Sequence, residues 1–204
     1  MRSAGSSAPD STAASAAPLT STTVCAEPTS TTAAAVDLVR RGLAVFPLPA
    51  GGRRPARGGW HSRCLTEPSR IRAVWREGDN IGVGCRASRV VGLDLDVEGH
   101  GQGVLAALAT RVGEDWPDTL TVRTPSGGLH LYFRVPGDCA IASVSGGRTA
   151  IGPGIDVRGP GLRSGGYLIG PGSAVNGMPY AITRDVPILE LSGWIAERLT
   201  VLPA

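Results

Sequence analysis

Val91-Gly92-Leu93-Asp94-Leu95-Asp96-Val97 is the stretch on which the fold turns. Apolar residues alternate there with glycine and aspartate, so the spacing predicts a strand over residues 90–97. Leu93, Leu95 and Val97 share one face, and Asp94 and Asp96 the other. Aspartate is disfavoured in strands and like charges on one face repel, so the pair calls for some compensation. Their Cα atoms are expected roughly 6.6 Å apart, twice the rise per residue. From that separation two carboxylates can share a pair of divalent ions ~3.5–4 Å apart, the arrangement used for in-line phosphoryl chemistry. Mg²⁺ suits such a site because it needs one or two carboxylates plus substrate phosphates. The other reading is a strand with one wet face that happens to carry two acids, and the short D-x-D pattern leaves both open.

Two further segments have the same two-faced character. In Ser126-Gly127-Gly128-Leu129-His130-Leu131-Tyr132-Phe133, alternation sets Leu129, Leu131 and Phe133 against His130, Tyr132 and Arg134. The paired glycines allow backbone N–H groups to approach an anion, or they simply turn a hairpin. His130 is placed to donate to a phosphate, with a hydrogen-bonded structural histidine as the alternative. In Ile155-Asp156-Val157-Arg158-Gly159, Asp156 and Arg158 share a face opposite Ile155 and Val157. They form either an acid with a phosphate-binding arginine or a local ion pair.

Around these segments the sequence predicts a helix over residues 33–41, capped by Thr31 or Thr32 and ended by Gly42. A buried strand over 43–48 and a Gly/Arg-rich loop over 49–60 come next. Thr66 is read as the cap of a helix over 67–76 that buries Ile71, Val74 and Trp75. Further strands are read at 80–84, 119–124, 129–134, 155–158 and 166–169, with a helix at 104–112 and a last helix from Pro187 to about residue 199. Helices and strands are mixed without strict alternation, which favours α+β over a doubly wound sheet.

The chain has 204 residues and 42% hydrophobic content, enough for one domain core or two small lobes. Its net charge of +3 permits a polyanionic partner without demanding one. All 20 basic residues are arginine. Cys25, Cys64, Cys85 and Cys139 are scattered, without metal-site or disulfide spacing, and are read as reduced thiols. No apolar run reaches the ~18 residues of a membrane span, and no secretory signal is visible, so the chain is read as cytoplasmic. Residues 1–30 are dominated by Ser, Thr, Ala, Pro and Gly and are expected to be disordered, with the folded domain over 31–204.

In their order and spacing, Asp94-x-Asp96, Ser126-Gly127-Gly128-x-His130 and Asp156-Val157-Arg158-Gly159 resemble the three motifs of the archaeo-eukaryotic primase superfamily. The resemblance is to its bifunctional DNA primase/polymerase (Prim-Pol) branch. Residues 42–48, Arg54-Pro55, Gly59-Trp60, Trp75, Asn80-Ile81-Gly82-Val83-Gly84, Pro117-Asp118-Thr119, Thr124-Pro125, Gly165-Gly166-Tyr167-Leu168-Ile169, Gly177 and Tyr180 extend the likeness over about residues 33–185. It implies a two-lobed α+β core with an RNA-recognition-like second lobe and a cleft between lobes. Asp94, Asp96 and Asp156 would hold two divalent ions, Mg²⁺ or Mn²⁺. His130, Ser126, Gly127, Gly128 and Arg158 would contact the nucleotide. The implied reaction is template-directed nucleotide addition to a 3′-hydroxyl on a single-stranded DNA template and primer, from nucleoside triphosphates, in replication of a plasmid, phage or other mobile element. A separate helicase or replication protein is an expected partner. Arg54 stands where the family often has Lys, and Gly170-Pro171-Gly172-Ser173 where it has a Pro-Pro-Ser. Two other classes stay open: a non-catalytic nucleic-acid or nucleotide-binding relative, and a metal-dependent nuclease, which would not require the Gly-Gly-x-His element.

Overall fold

A computed structural model describes residues 30–146 and 149–199. Apart from Ser30, the segment expected to be disordered lies outside the described residues, as does Cys25. Among the described residues no helix is long and apolar enough to cross a membrane.

The first helix, α1 (Thr31–Arg40), starts two residues before the predicted start, because Ser30 rather than a threonine caps it by accepting the Ala33 N–H. Gly42, at φ +77°, ends it as expected. The guanidinium of Arg134 donates to the carbonyls of Arg41, Gly42 and Ser88, tying this helix end to the main sheet. A three-stranded antiparallel sheet is built from β1 (Val45–Leu48), β2 (Asn80–Gly84) and β7 (Tyr167–Ile169), in the order β1-β2-β7. The helix α2 (Pro68–Val74) ends at Trp75, whose backbone is extended. The predicted helix was longer and buried Val74; Ile71 and Trp75 are buried, but Val74 is 54% exposed. A single turn, α3 (Cys85–Ser88), leads into the central strand β3 (Val90–Leu95).

Among the described residues β3 lies inside a larger sheet of order β10-β4-β5-β3-β6, formed with β4 (Thr121–Arg123), β5 (Leu129–Arg134), β6 (Ile155–Arg158) and β10 (Ala181–Arg184). These neighbours are antiparallel, and β4 and β5 form the hairpin expected around residues 125–128. One face of the sheet carries Val91, Leu93, Leu95, Leu131, Phe133, Ile155 and Val157, packed against Leu105 and Leu108 of α4 (Gly101–Val112). On the other face Val90, Val122 and Tyr132 join a second cluster with α1 and the three-stranded sheet. The alternation therefore separates two interiors, not an interior and a wet surface.

Two further expectations fail. The strand stops at Leu95, and Val97, expected to be buried, is 48% exposed. The Asp96 N–H donates to Gly154 O (2.8 Å) and its own carbonyl accepts from Gly101 N (2.9 Å), which turns the chain away from the ladder into α4. The helix expected from Pro187 to residue 199 is also replaced. Leu189 and Glu190 form a short strand, β11 (Leu189–Glu190), parallel to the end of β5, followed by a single turn at Gly193–Ala196. The Leu189 N–H donates to Thr119 Oγ1 (3.0 Å) and Leu191 N–H to Arg134 O (2.9 Å), so the sheet takes the backbone groups a helix would have used. A small hairpin, β8 (Ala174–Val175) with β9 (Met178–Pro179), was not anticipated.

Candidate active site

Register places three of the predicted residues side by side. Asp94 of β3 pairs with His130 of β5 on one side and with Asp156 of β6 on the other. The row two residues away is Tyr132, Gly92 and Arg158. Gly92 matters for what it lacks: a Cβ there would overlap the side chain of Leu168, which comes from the three-stranded sheet. That close approach brings β7 onto β3 directly beside the acidic row, so the two sheets together wall a cavity of about 550 Å³. Asp94, His130 and Arg158 line one side; Arg53, Arg54, Trp60 and Tyr167 line the other, with Tyr180 beside His130.

The charges in this row are coupled. His130 Nε2 lies 3.4 Å from Asp94 Oδ1, while Nδ1 is buried without a hydrogen-bond partner among the described residues. Arg158 Nη2 donates to Asp156 Oδ2 (3.0 Å) and stands 3.8 Å from Asp94 Oδ2, and its Nη1 donates to Ser145 Oγ (2.5 Å). Burial alone would push the Asp94 carboxyl up. The hydrogen bond from His130 and the positive charges of His130, Arg158 and Arg53 outweigh it, holding Asp94 below the usual carboxylate range. Asp96 moves the opposite way: partial burial first, then the negative Asp94, Asp156 and Glu98, raise it against the pull of Arg158.

Asp96 and Ser126 are set apart from the row. They line an adjoining depression of about 590 Å³ with Glu98 and Gly154. Asp96 is held near β6 because Gly99 and Gly101 pack so tightly on Gly154 that a Cβ at either would overlap it. The hairpin glycines are spoken for locally: Gly127 N–H donates to Thr124 O (2.9 Å), and a Cβ on Gly128 would overlap Leu95 O. Ser126 Oγ hydrogen-bonds Thr124 Oγ1 (3.0 Å). The donors gathered around Asp94 are carboxylate oxygens, the kind that suits Mg²⁺ or Mn²⁺. Among the described residues no group of three His, Cys, Asp or Glu is disposed to hold a metal ion, and the cation between Asp94 and Asp156 is Arg158.

The opposite wall was not assigned from sequence. Arg53 and Arg54 reach the cavity because their loop is pinned. Buried Asn80 donates to Gly52 O (2.9 Å) and Ala174 O (2.8 Å), and Tyr167 Oη donates to Arg53 O (2.9 Å). Their signal was present in the Gly51-Gly52-Arg53-Arg54 run, which nothing local connects to Asp94.

Fold and site thus define an α+β protein in which the Asp94 carboxylate, the His130 imidazole and the guanidinium groups of Arg53, Arg54 and Arg158 line one opening. Residues 35–194 match the bifunctional DNA primase/polymerase N-terminal (Prim-Pol) family, and the chain belongs to that family. Membership points to a nucleotidyltransferase of the primase/polymerase type, with DNA and nucleotides as substrates. No curated protein matches the chain.

Proposed function

We propose that this chain is a template-directed DNA primase/polymerase that adds nucleotides to a 3′-hydroxyl, serving replication of a plasmid, phage or other mobile element. The reading is carried by Asp94 and His130, which line one cavity with Arg53 and Arg54 and have Asp156 beside Asp94 in the sheet register. Asp94, Asp96 and Asp156 would hold two Mg²⁺ or Mn²⁺ ions, which supply charge neutralisation at the reacting phosphates. The protein's part is positioning and charge placement. His130, fixed by its Nε2 contact with Asp94 in the cavity wall, would contact the nucleotide's phosphates. Arg158, with Arg53 and Arg54, places positive charge along the nucleotide's phosphates, and Ser126, Gly127 and Gly128 would contact the nucleotide from the side of the second depression, which Ser126 lines with Asp96. The six-stranded sheet is read as the RNA-recognition-like lobe and the three-stranded sheet with its helices as the other. A single-stranded template and primer, and a separate helicase or replication protein, are the partners this activity implies.

The test is extension of a labelled primer on a template with Mg²⁺ or Mn²⁺, beside an Asp94→Ala/Asp96→Ala variant. Incorporation by the native chain and a drop of at least about 100-fold in the variant are expected. Equal incorporation by both removes the site assignment, and strand shortening without nucleotide identifies a nuclease. One observation favours a second reading: Arg158 already bridges the two carboxylates as a metal would. Nucleotide binding with no incorporation in either metal would make the chain a non-catalytic binding relative.

A further inference from the structure

Beyond Trp60 the molecule has a second basic opening that the proposed chemistry does not use. Its volume is about 350 Å³, and Trp60, His61, Arg86, Arg89, Arg163 and Ser164 line it, with no acidic residue among its walls. Trp60 also lines the catalytic cavity, so the indole is a wall common to both openings. It is fixed there by stacking on Phe46 (centroids 4.7 Å apart) and by an edge contact with Tyr167 (5.0 Å).

Among the described residues none of Arg86, Arg89 and Arg163 has a carboxylate within 4.0 Å, whereas Arg158 of the neighbouring cavity is paired with Asp156. Arg86 is held in place by donating to Gly161 O (2.6 Å), a carbonyl that orients the guanidinium without cancelling its charge. Arg89 sits at φ +52°, a left-handed conformation that side-chain-bearing residues adopt rarely. Three unneutralised guanidinium groups converging on one opening repel each other unless an anion joins them.

We infer that this opening is a second phosphate site, which receives consecutive phosphates of a single nucleic-acid strand whose end lies in the catalytic cavity. The inference rests on the primase/polymerase reading for the nature of the strand. The opening is too small to admit a duplex, and an aromatic wall beside a basic track is the arrangement that single strands use. The phosphates have two sources of the same chemistry: the phosphodiester backbone, or a 5′-triphosphate on a newly begun strand.

The experiment is equilibrium binding by fluorescence anisotropy across a salt series, with the native chain and an Arg89→Asn/Arg163→Gln variant. Asparagine is chosen at Arg89 because it tolerates the left-handed conformation. Probes are a single strand with a 5′-hydroxyl, the same strand with a 5′-triphosphate, and a nucleoside triphosphate alone. Each phosphate contact contributes about 0.7 to the slope of log K against log salt for single strands. The variant should therefore lose about 1.4 from that slope and bind the strand about tenfold more weakly, with binding of the free triphosphate unchanged. A deficit shared by both strands assigns the backbone, and one confined to the triphosphate-ended strand assigns that end. Unchanged strand affinity and slope, or a loss confined to the free nucleotide, would overturn the inference. Asp94→Asn keeps the two readings separable: it should stop incorporation while leaving the strand-binding slope as in the native chain.

Discussion

The two faces of β3 are built from alternate residues of one strand, yet they serve opposite ends. On one face Leu93 and Leu95 are fully buried against α4, beside Leu131 and Val157 of the neighbouring strands. On the other, Asp94 lies between His130 and Asp156, and Gly92 leaves its space to Leu168. Apolar burial contributes about 25 cal/mol per Å², whereas a buried carboxylate is tolerated only when paired. Both faces are anchored by apolar clusters, but the second gives up part of that packing around Asp94 to paired charges. The contrast teaches that the candidate chemistry is set into an apolar interior, while the opposite face of the same strand is given wholly to packing.

The comparison breaks most visibly if that division is wrong. Leu95→Ala should destabilise the chain by about 2–5 kcal/mol in chemical denaturation, with nucleotide binding by the folded fraction intact. A loss of binding at full stability would show that the apolar face shapes the site directly. Gly92→Ala is next in size. Its methyl would overlap Leu168, and the cost is about 1–3 kcal/mol, because the clash lies between the sheets and not in the ladder. Here the expected signature is mixed: lower stability together with weaker nucleotide binding, since β7 moves away from Asp94. A neutral result would mean that Leu168 simply rotates aside and that the approach of the sheets is not what sets the cavity.

The strands at 80–84, 129–134 and 155–158 were legible to the residue, because alternation and flanking glycines are local signals. The row His130–Asp94–Asp156 was legible only in part. Sequence gave each residue its face, but the pairing of β5 and β6 on either side of β3 is a long-range fact. The end of β3 was misread for the same reason: what stops it is the contact of Gly99 and Gly101 with Gly154, some fifty residues on. β8 to β11 are two to four residues long and show no period of their own; their partners create them. Arg53 and Arg54 reach the site from a loop, Tyr167 from the other sheet and Tyr180 from just before β10, and no spacing rule connects them to Asp94.

The smallest effect is also the most discriminating, because it separates two aspartates only two residues apart. Asp94 is held below the usual carboxylate range, so its ionised form stabilises the fold; that contribution is present above pH ~4 and lost as pH falls through the lowered value. Asp96 is raised, so its ionisation opposes folding, and stability is lost as pH rises through the raised value. In buffer with a chelator at pH 7, Asp94→Asn should cost about 1–2 kcal/mol through the weakened bond with His130. Asp96→Asn should instead stabilise slightly, by no more than about 0.5 kcal/mol, because solvent screens the repulsion at this exposed carboxylate. Thermal denaturation with added Mg²⁺ then sharpens the contrast. An ion drawing on both carboxylates relieves the repulsion at Asp96, so the advantage of Asp96→Asn should vanish and become a deficit as Mg²⁺ rises. If that variant stays ahead of the native chain at every Mg²⁺ concentration, Asp96 is no ligand, and the acidic centre reduces to Asp94 and Asp156.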